Sequence, residues 1–213
     1  MLPSLDNFVS FGGDVIKSRP DYITMLVDIY TESIVNDQLG QNDRVNGSKL
    51  AECLLLHLRG GIDHVGYYFF IASILLILHF NLKKLQLIIN TALSILDEDH
   101  TPYLRLANLE VLINSVLYNP SAALHLMEVN KPGTARNFFN RWFGVITNDG
   151  LPRVHDKKLS ILALCTLLEM PPNTIPEPLR EGWPGIVGGI LKIFKGLPKA
   201  IEGQRLFFLL FLN

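Results

Sequence analysis

The sequence predicts an all-α protein built from antiparallel helix pairs. Apolar residues recur at three- and four-residue spacing along most of the 213-residue chain, without the sustained alternation that is typical of β-strands. Prolines and glycines interrupt this pattern and divide it into helices of roughly 12 to 18 residues. Hydrophobic residues make up 48% of the chain and charged residues 18%, a composition too apolar for disorder. The helices are therefore expected to pack on one another.

The first two predicted helices flank a polar turn. Pro20 suits the first turn of a helix, and Gly40 with the polar run behind it is expected to end that helix. Ser48 is expected to cap the second helix, which would run to Gly60-Gly61. The apolar stripe predicted for the first helix consists of Tyr22, Met25, Leu26 and Ile29.

The central helix has clear end signals. Thr101 and Pro102 form an N-cap and first-turn pair. The helix is expected to stop at Asn119, because Pro120 disfavours helical geometry in the residue before it. A short helix over 121–128 should follow. The predicted stripe of the central helix is Leu106, Leu109, Ile113 and Val116.

Three further helices are predicted toward the C-terminus. One surrounds an aromatic run that contains Trp142, and one extends from His155 to Met170. The second of these is apolar on almost every face, so it is expected to be covered on several sides. Its polar exceptions are Lys157, Lys158 and Ser160. A last helix is predicted from Trp183 to Ile201, with Pro198 kinking or ending it.

Helices of this length joined by short turns fit a stack of αα-hairpins. Direct repetition is weak, which counts against ankyrin-type or tetratricopeptide-type arrays. HEAT repeats are degenerate helix pairs of roughly 40 residues, so the chain would hold about four to five of them. We predict an α-solenoid of HEAT-type antiparallel helix pairs, forming a single segment over residues 1–213. Neither end has the polar cap of a terminal repeat, so we expect a fragment of a longer superhelix.

Several classes of function are disfavoured. The net charge of −1 lacks the basic excess of a nucleic-acid-binding protein. The six histidines form no metal-binding pattern. Cys53 and Cys165 lie in apolar runs and are expected to be buried thiols in a reducing compartment. The N-terminus lacks the features of a signal peptide. We find no nucleophile–base pair and no cofactor fingerprint, so we predict no enzymatic activity and no cofactor.

A glycine-rich run and scattered cations are given structural interpretations. Gly182, Gly185, Gly188 and Gly189 lack the strand–loop–helix context of a phosphate loop, so close helix packing is expected there. Asp156 is expected to cap the helix that His155 opens. The remaining cations are expected on solvated faces: Arg136, Arg141, Arg153, Lys157 and Lys158.

Asp97, Glu98 and Asp99 form an acidic corner before the central helix. The first interpretation is a solvated loop that assists the N-terminus of that helix. The alternative is a contact for a basic protein segment, because opposite charges steer and orient protein partners. These three residues are the candidate binding site of the chain.

An ordered series of segments resembles the C-terminal part of importin-seven-type and importin-eight-type nuclear transport receptors of the karyopherin-β family. The segments are Leu2–Phe8 (LPSLDNF), Leu54–His64 (LLLHLRGGIDH), Leu117–Pro120 (LYNP), His155–Met170 (HDKKLSILALCTLLEM) and Gly185–Glu202 (GIVGGILKIFKGLPKAIE). The resemblance implies a HEAT solenoid that carries protein cargo through the nuclear pore complex, between cytoplasm and nucleus. It implies nucleoporins and the GTPase Ran as partners, with Ran bound mainly through repeats absent here. It implies no direct nucleic-acid partner.

Two apolar stretches, 65–86 and 205–213, depart from the family pattern, and we interpret both as translated non-coding sequence. The sequence of the mature transcript would test this. Residues 65–82 contain no Asp, Glu, Lys or Arg, and their length is close to that needed to cross a bilayer core of about 30 Å. A helical protein anchored in a membrane through 65–82 is therefore one alternative, although we expect no membrane span. A HEAT-repeat scaffold of another protein complex is the other.

Overall fold

The computed structural model describes residues 2–59, 62 and 83–211. All regular structure within these ranges is helical, so the predicted all-α class is confirmed. The chain divides into two compact units, which we call unit 1 (Met1–Tyr118) and unit 2 (Asn119–Asn213).

Unit 1 contains two stacked helix pairs. Its helices are α1 (Leu2–Phe11), α2 (Gly13–Lys17), α3 (Pro20–Val35), α4 (Gln41–His57), α5 (Lys83–Ser94) and α6 (Pro102–Tyr118). Helix α3 packs on α4 and α5 packs on α6. Across the pairs, α3 contacts α5 and α4 contacts α6, so first helices meet first helices and second helices meet second helices. This two-layer arrangement is that of HEAT-type repeats.

Helix α3 begins at Pro20 as predicted, but the predicted apolar stripe is wrong in register. Met25 and Ile29 are 59% and 45% exposed. Tyr30 is fully buried, and its hydroxyl donates to the carbonyl of Ile88 in α5 at 3.4 Å. The helix carries apolar residues on more than one face, and packing against α4 and α5 decides which face is covered. The buried residues are Ile23, Leu26, Val27, Tyr30 and Ile34.

Helix α4 begins seven residues earlier than predicted, because the polar run after Gly40 is helical. The Asp43 carboxylate accepts the N–H of Gly40 at 3.2 Å, which caps the first turn. Ser48 is not an N-cap: it is fully buried and its hydroxyl donates to the Arg44 carbonyl at 3.1 Å. A Cβ at Gly47 would overlap the side chain of Ser33. Although the run is polar, Gly47 allows α4 to pack closely against α3.

Helix α6 has the predicted ends. The Thr101 hydroxyl accepts the N–H of Leu104 at 3.4 Å, and the helix stops at Tyr118. Asn119 then caps the next helix by accepting the N–H of Ala122 at 3.1 Å. Asn108 is 2% exposed in the middle of α6, and its amide donates to the Ala92 carbonyl at 2.8 Å.

Unit 2 also consists of helix pairs. Its helices are α7 (Pro120–Asn130), α8 (Thr134–Thr147), α9 (Val154–Leu168), α10 (Glu177–Arg180) and α11 (Gly185–Phe211), with a 3-10 turn over Pro172–Thr174. Helix α7 packs on α8, α9 packs on α11, and α8 contacts α11 and α10. The predicted last helix is corrected at both ends, since α11 starts at Gly185 and continues past Ile201 to Phe211. Pro198 lies inside the helix and does not end it.

The two stretches that depart from the family pattern are described in part. Residues 65–82, including the membrane-span candidate, lie outside the described residues. Residues 83–86 form the first turn of α5, where Leu85 is fully buried, so position 86 is not a structural boundary. Residues 205–211 form the end of α11. Among the helices that the structure describes, none is long and apolar enough to cross a membrane.

Candidate functional site

The acidic turn, Asp97 to Asp99, lies at the surface of unit 1 between α5 and α6. All three side chains are exposed. The Glu98 carboxylate lies 2.8 Å from Nε2 of His100, whose side chain is 10% exposed. Next to the turn, the N–H of Thr101 donates to Gln41 at 3.2 Å, which ties the turn to the start of α4. The structure thus brings the three predicted residues together as one exposed anionic surface.

Helix α8 supplies the aromatic core of unit 2. Phe138 and Trp142 are fully buried, with ring centroids 5.4 Å apart. The Trp142 indole N–H donates to the hydroxyl of buried Ser160 in α9 at 3.1 Å. Ser160 was predicted to be a polar exception on an apolar helix. Its actual role is to satisfy the indole, because a buried indole N–H needs an acceptor.

The other face of α8 lines a cavity of about 440 Å³, which we call the aromatic groove. Phe139 and Phe143 contribute from α8, their ring centroids 6.2 Å apart, and Trp183 faces Phe139 at 6.4 Å. Arg136 and Glu181 also line this groove. Sequence reasoning noted the phenylalanines but placed Trp183 in a helix. The Trp-Pro-Gly sequence after Glu181 and Gly182 was the available sign of a turn.

An ion pair joins the loop after α8 to α9. The Lys157 ammonium lies 2.7 Å from the Asp149 carboxylate, with the lysine side chain 5% exposed and the aspartate 56%. The prediction that Lys157 is solvated is therefore wrong. Asp149 follows the α8 C-cap with φ of 51°, a left-handed conformation that usually selects glycine. The hydrogen bond from Lys157, with its positive charge, lowers the pKa of Asp149 below the usual range.

Asp156 caps α9, as predicted. Its carboxylate accepts the backbone N–H of Arg153 at 2.9 Å and the Arg153 Nε–H at 2.7 Å. The aspartate is fully buried, so these bonds replace the water it loses. Of the four glycines expected to permit close packing, Gly189 does so, since a Cβ there would come within 2.9 Å of the Phe143 ring. An added Cβ at Gly185 or Gly188 would have open space.

The two cysteines are free thiols in different surroundings. Burial raises the pKa of the Cys53 thiol to about 12, so it stays protonated and is a poor nucleophile. Cys165 is a free, half-buried thiol on α9. Within the part of the chain that the structure describes, no group of three His, Cys, Asp or Glu side chains could hold a metal ion.

The stacked helix pairs define the class: a segment of an all-α, HEAT-like solenoid. No protein-family model and no solved structure matches the chain. Curated relatives do match it. Importin-8 of Danio rerio is 27% identical over 212 residues, covering 96% of this chain and 18% of the relative.

Two other relatives agree with this match. A probable importin-7 homolog of Dictyostelium discoideum is 27% identical over 91% of this chain and 16% of its own length. Importin-8 of Homo sapiens is 27% identical over 97% of this chain and 18% of its own length. The chain is related to the importin-β family, which confirms the resemblance seen in the sequence. It spans less than a fifth of the length of these relatives.

Proposed function

We propose that this chain is a segment of a nuclear transport receptor that acts by binding proteins and catalyses no reaction. The observation that carries the proposal is the match to importins along 91–97% of the chain. The helix pairs of unit 1 support it, because stacked pairs present extended surfaces on which many weak contacts add up. The receptor would shuttle between cytoplasm and nucleus through the nuclear pore complex.

We further propose that the segment contributes to cargo or nucleoporin binding, with Ran bound mainly through repeats outside this chain. The test uses the full-length protein to capture its binding partners, with and without Ran locked in its GTP-bound state. Release of captured proteins on addition of Ran-GTP is expected. Unchanged partners with no Ran bound would contradict the proposal and favour a HEAT scaffold of another complex.

The acidic turn is proposed as a contact for a basic cargo segment. Three adjacent exposed carboxylates would attract a basic peptide. The turn that carries them joins two packed helices, so it need not become ordered when the peptide binds. The test variant is D97N/E98Q/D99N, and the matched control is D14N/D28N/D37N, which removes three exposed charges elsewhere in unit 1. A basic peptide should bind the test variant about tenfold more weakly than the control. Equal binding by the two variants would exclude the turn as the contact.

A further inference from the structure

A second cavity in unit 2, about 960 Å³ in volume, lies between the segment 149–158 and the last helix. We call it the basic groove. Four cationic side chains line it, and one carboxylate, Asp149, lines it among the described residues. The cations are Arg153, Lys157, Lys158 and Lys199.

Existing ion pairs offset part of this charge. Asp149 pairs with Lys157 at 2.7 Å, and Asp156 pairs with Arg153 at 2.7 Å. Lys158 and Lys199 are exposed, and neither forms an ion pair with any residue that the structure describes. Lys199, together with Lys192 on the same helix, is close enough to help lower the pKa of Asp149. The groove therefore has an uncompensated positive charge along its rim.

The shape of the groove admits an extended chain. Gly196, Ala200 and Gly203 on α11 line one wall at spacings of four and three residues, so they share one face of the helix. The space beside Gly203 is open, whereas the Lys157 and Asp149 side chains already lie against Gly196. A partner backbone could therefore approach the helix at its Gly203 end. Pro152, which is exposed, adds a small apolar surface to the groove.

From this charge and shape we propose that the basic groove binds an acidic segment of a partner protein. A single-stranded nucleic acid is a poorer fit, because no Phe, Tyr or Trp side chain is among the described lining residues. The proposal rests on the proposed function in one respect, that the ligand is a protein. The ligand proposed for the basic groove is acidic, whereas the ligand proposed for the acidic turn is basic.

The test is fluorescence anisotropy of a labelled Glu-rich peptide titrated with the whole chain, beside a Lys-rich peptide of equal length. Two variants, K158E and K199E, reverse one exposed charge each in the groove. The matched control is K131E, which reverses an exposed lysine of unit 2 that does not line the groove. Each groove variant is expected to weaken Glu-rich binding about fivefold relative to K131E. The wild-type affinity should also fall as salt screens the charges.

Three results would overturn the proposal: no binding of the Glu-rich peptide, equal loss in K131E, or tighter binding of a single-stranded oligonucleotide than of the peptide. Circular dichroism on each variant confirms that the fold is kept. The assay contains no Ran, so its outcome is separate from the Ran-dependent capture. Failure of the groove to bind the peptide would not contradict the transport proposal. Failure of the Ran-dependent capture would likewise not contradict peptide binding by the groove.

Discussion

The two units stabilise their buried polar groups in different ways. In unit 1, buried side chains bond mainly to backbone carbonyls: Asn108 to Ala92, Ser115 to Val111 and Ser48 to Arg44. In unit 2, several buried side chains bond to other side chains. Trp142 donates to Ser160, and Lys157 pairs with Asp149.

This difference predicts different tolerance to substitution. A backbone carbonyl is present whatever residue supplies it, so the polar bonds of unit 1 depend on one side chain each. A side-chain pair depends on two residues. Loss of Ser160 leaves the buried indole of Trp142 without its acceptor, and loss of Asp149 leaves the buried ammonium of Lys157 without its carboxylate. Unit 2 is therefore expected to show strong coupling between substitutions. Both tryptophans of the chain lie in unit 2, so indole fluorescence monitors that unit alone.

The largest effect is expected from Trp142→Ala. The indole is fully buried among aromatic neighbours, and its loss should destabilise unit 2 by about 3–5 kcal/mol. Urea unfolding followed by Trp183 fluorescence measures this. The comparison variant is Trp183→Ala, read through Trp142, and it should cost less than about 2 kcal/mol because that indole is only half-buried. Equal losses would mean that Trp142 does not anchor the unit.

Asp149→Ala is expected to destabilise unit 2 by about 1–3 kcal/mol, because Lys157 would remain buried without its carboxylate. The double variant D149A/K157M removes both charges and should recover much of the loss. In a double-mutant cycle measured by urea unfolding, the losses of stability caused by D149A alone and by K157M alone should therefore not add up to the loss in the double variant. Additive effects would contradict the coupling proposed for this unit.

The same pair gives a defined pH dependence. The folded-state pKa of Asp149 is lowered from its ordinary value of 3.8, so folding favours the ionised carboxylate. The stability that this provides is complete above the unfolded-state pKa and is lost as the pH falls through the lowered pKa. The difference in urea midpoint between wild type and Asp149→Asn should therefore be constant at neutral pH and shrink below about pH 4. A constant difference down to about pH 2 would disprove this.

Two neighbouring glycines of α11 should respond in opposite directions. Gly189→Ala places a Cβ 2.9 Å from the Phe143 ring and should cost about 1–2 kcal/mol. Gly188→Ala meets open space and should stabilise the helix by about 0.5–1 kcal/mol. Thermal melts by fluorescence measure both. Destabilisation by both variants would mean that tight packing extends along this face.

The smallest effect concerns the thiols, one in each unit. Cys53 is 5% exposed with a raised pKa, whereas Cys165 is half-buried, so a thiol reagent should modify Cys165 first. Cys53 should react only when unit 1 opens, which makes it a reporter for that unit. Mass spectrometry of the labelled peptides distinguishes the two. Faster labelling of Cys53 would show that unit 1 opens more readily than unit 2.

The sequence predicted helix ends better than helix faces. Thr101 and Asp156 were recognised as capping residues because a cap acts within a few positions of its own sequence. Asn119 was recognised as a helix end from the proline that follows it, but its role as the cap of α7 was not predicted. The start of α4 was predicted wrongly, because a polar run after a glycine is typical of a turn. Only the structure shows that the Asp43 carboxylate caps a helix that begins there. The acidic turn was found as three adjacent residues. The aromatic groove was not predicted. The aromatic run of α8 was recognised, but Trp183 reaches Phe139 across more than forty positions of sequence.

The sequence by itself determined the helical class, the ends of the central helix, the start of α3 and the relationship to importins. These depend on local periodicity, on proline, glycine and capping residues, and on the order of segments. Only the tertiary structure decided that Met25 faces solvent while Tyr30 is buried, and that Lys157 is buried beside Asp149. The physical reason is that a helix with several apolar faces, or a long cationic side chain, has more than one favourable environment. Its neighbours in space select one of them.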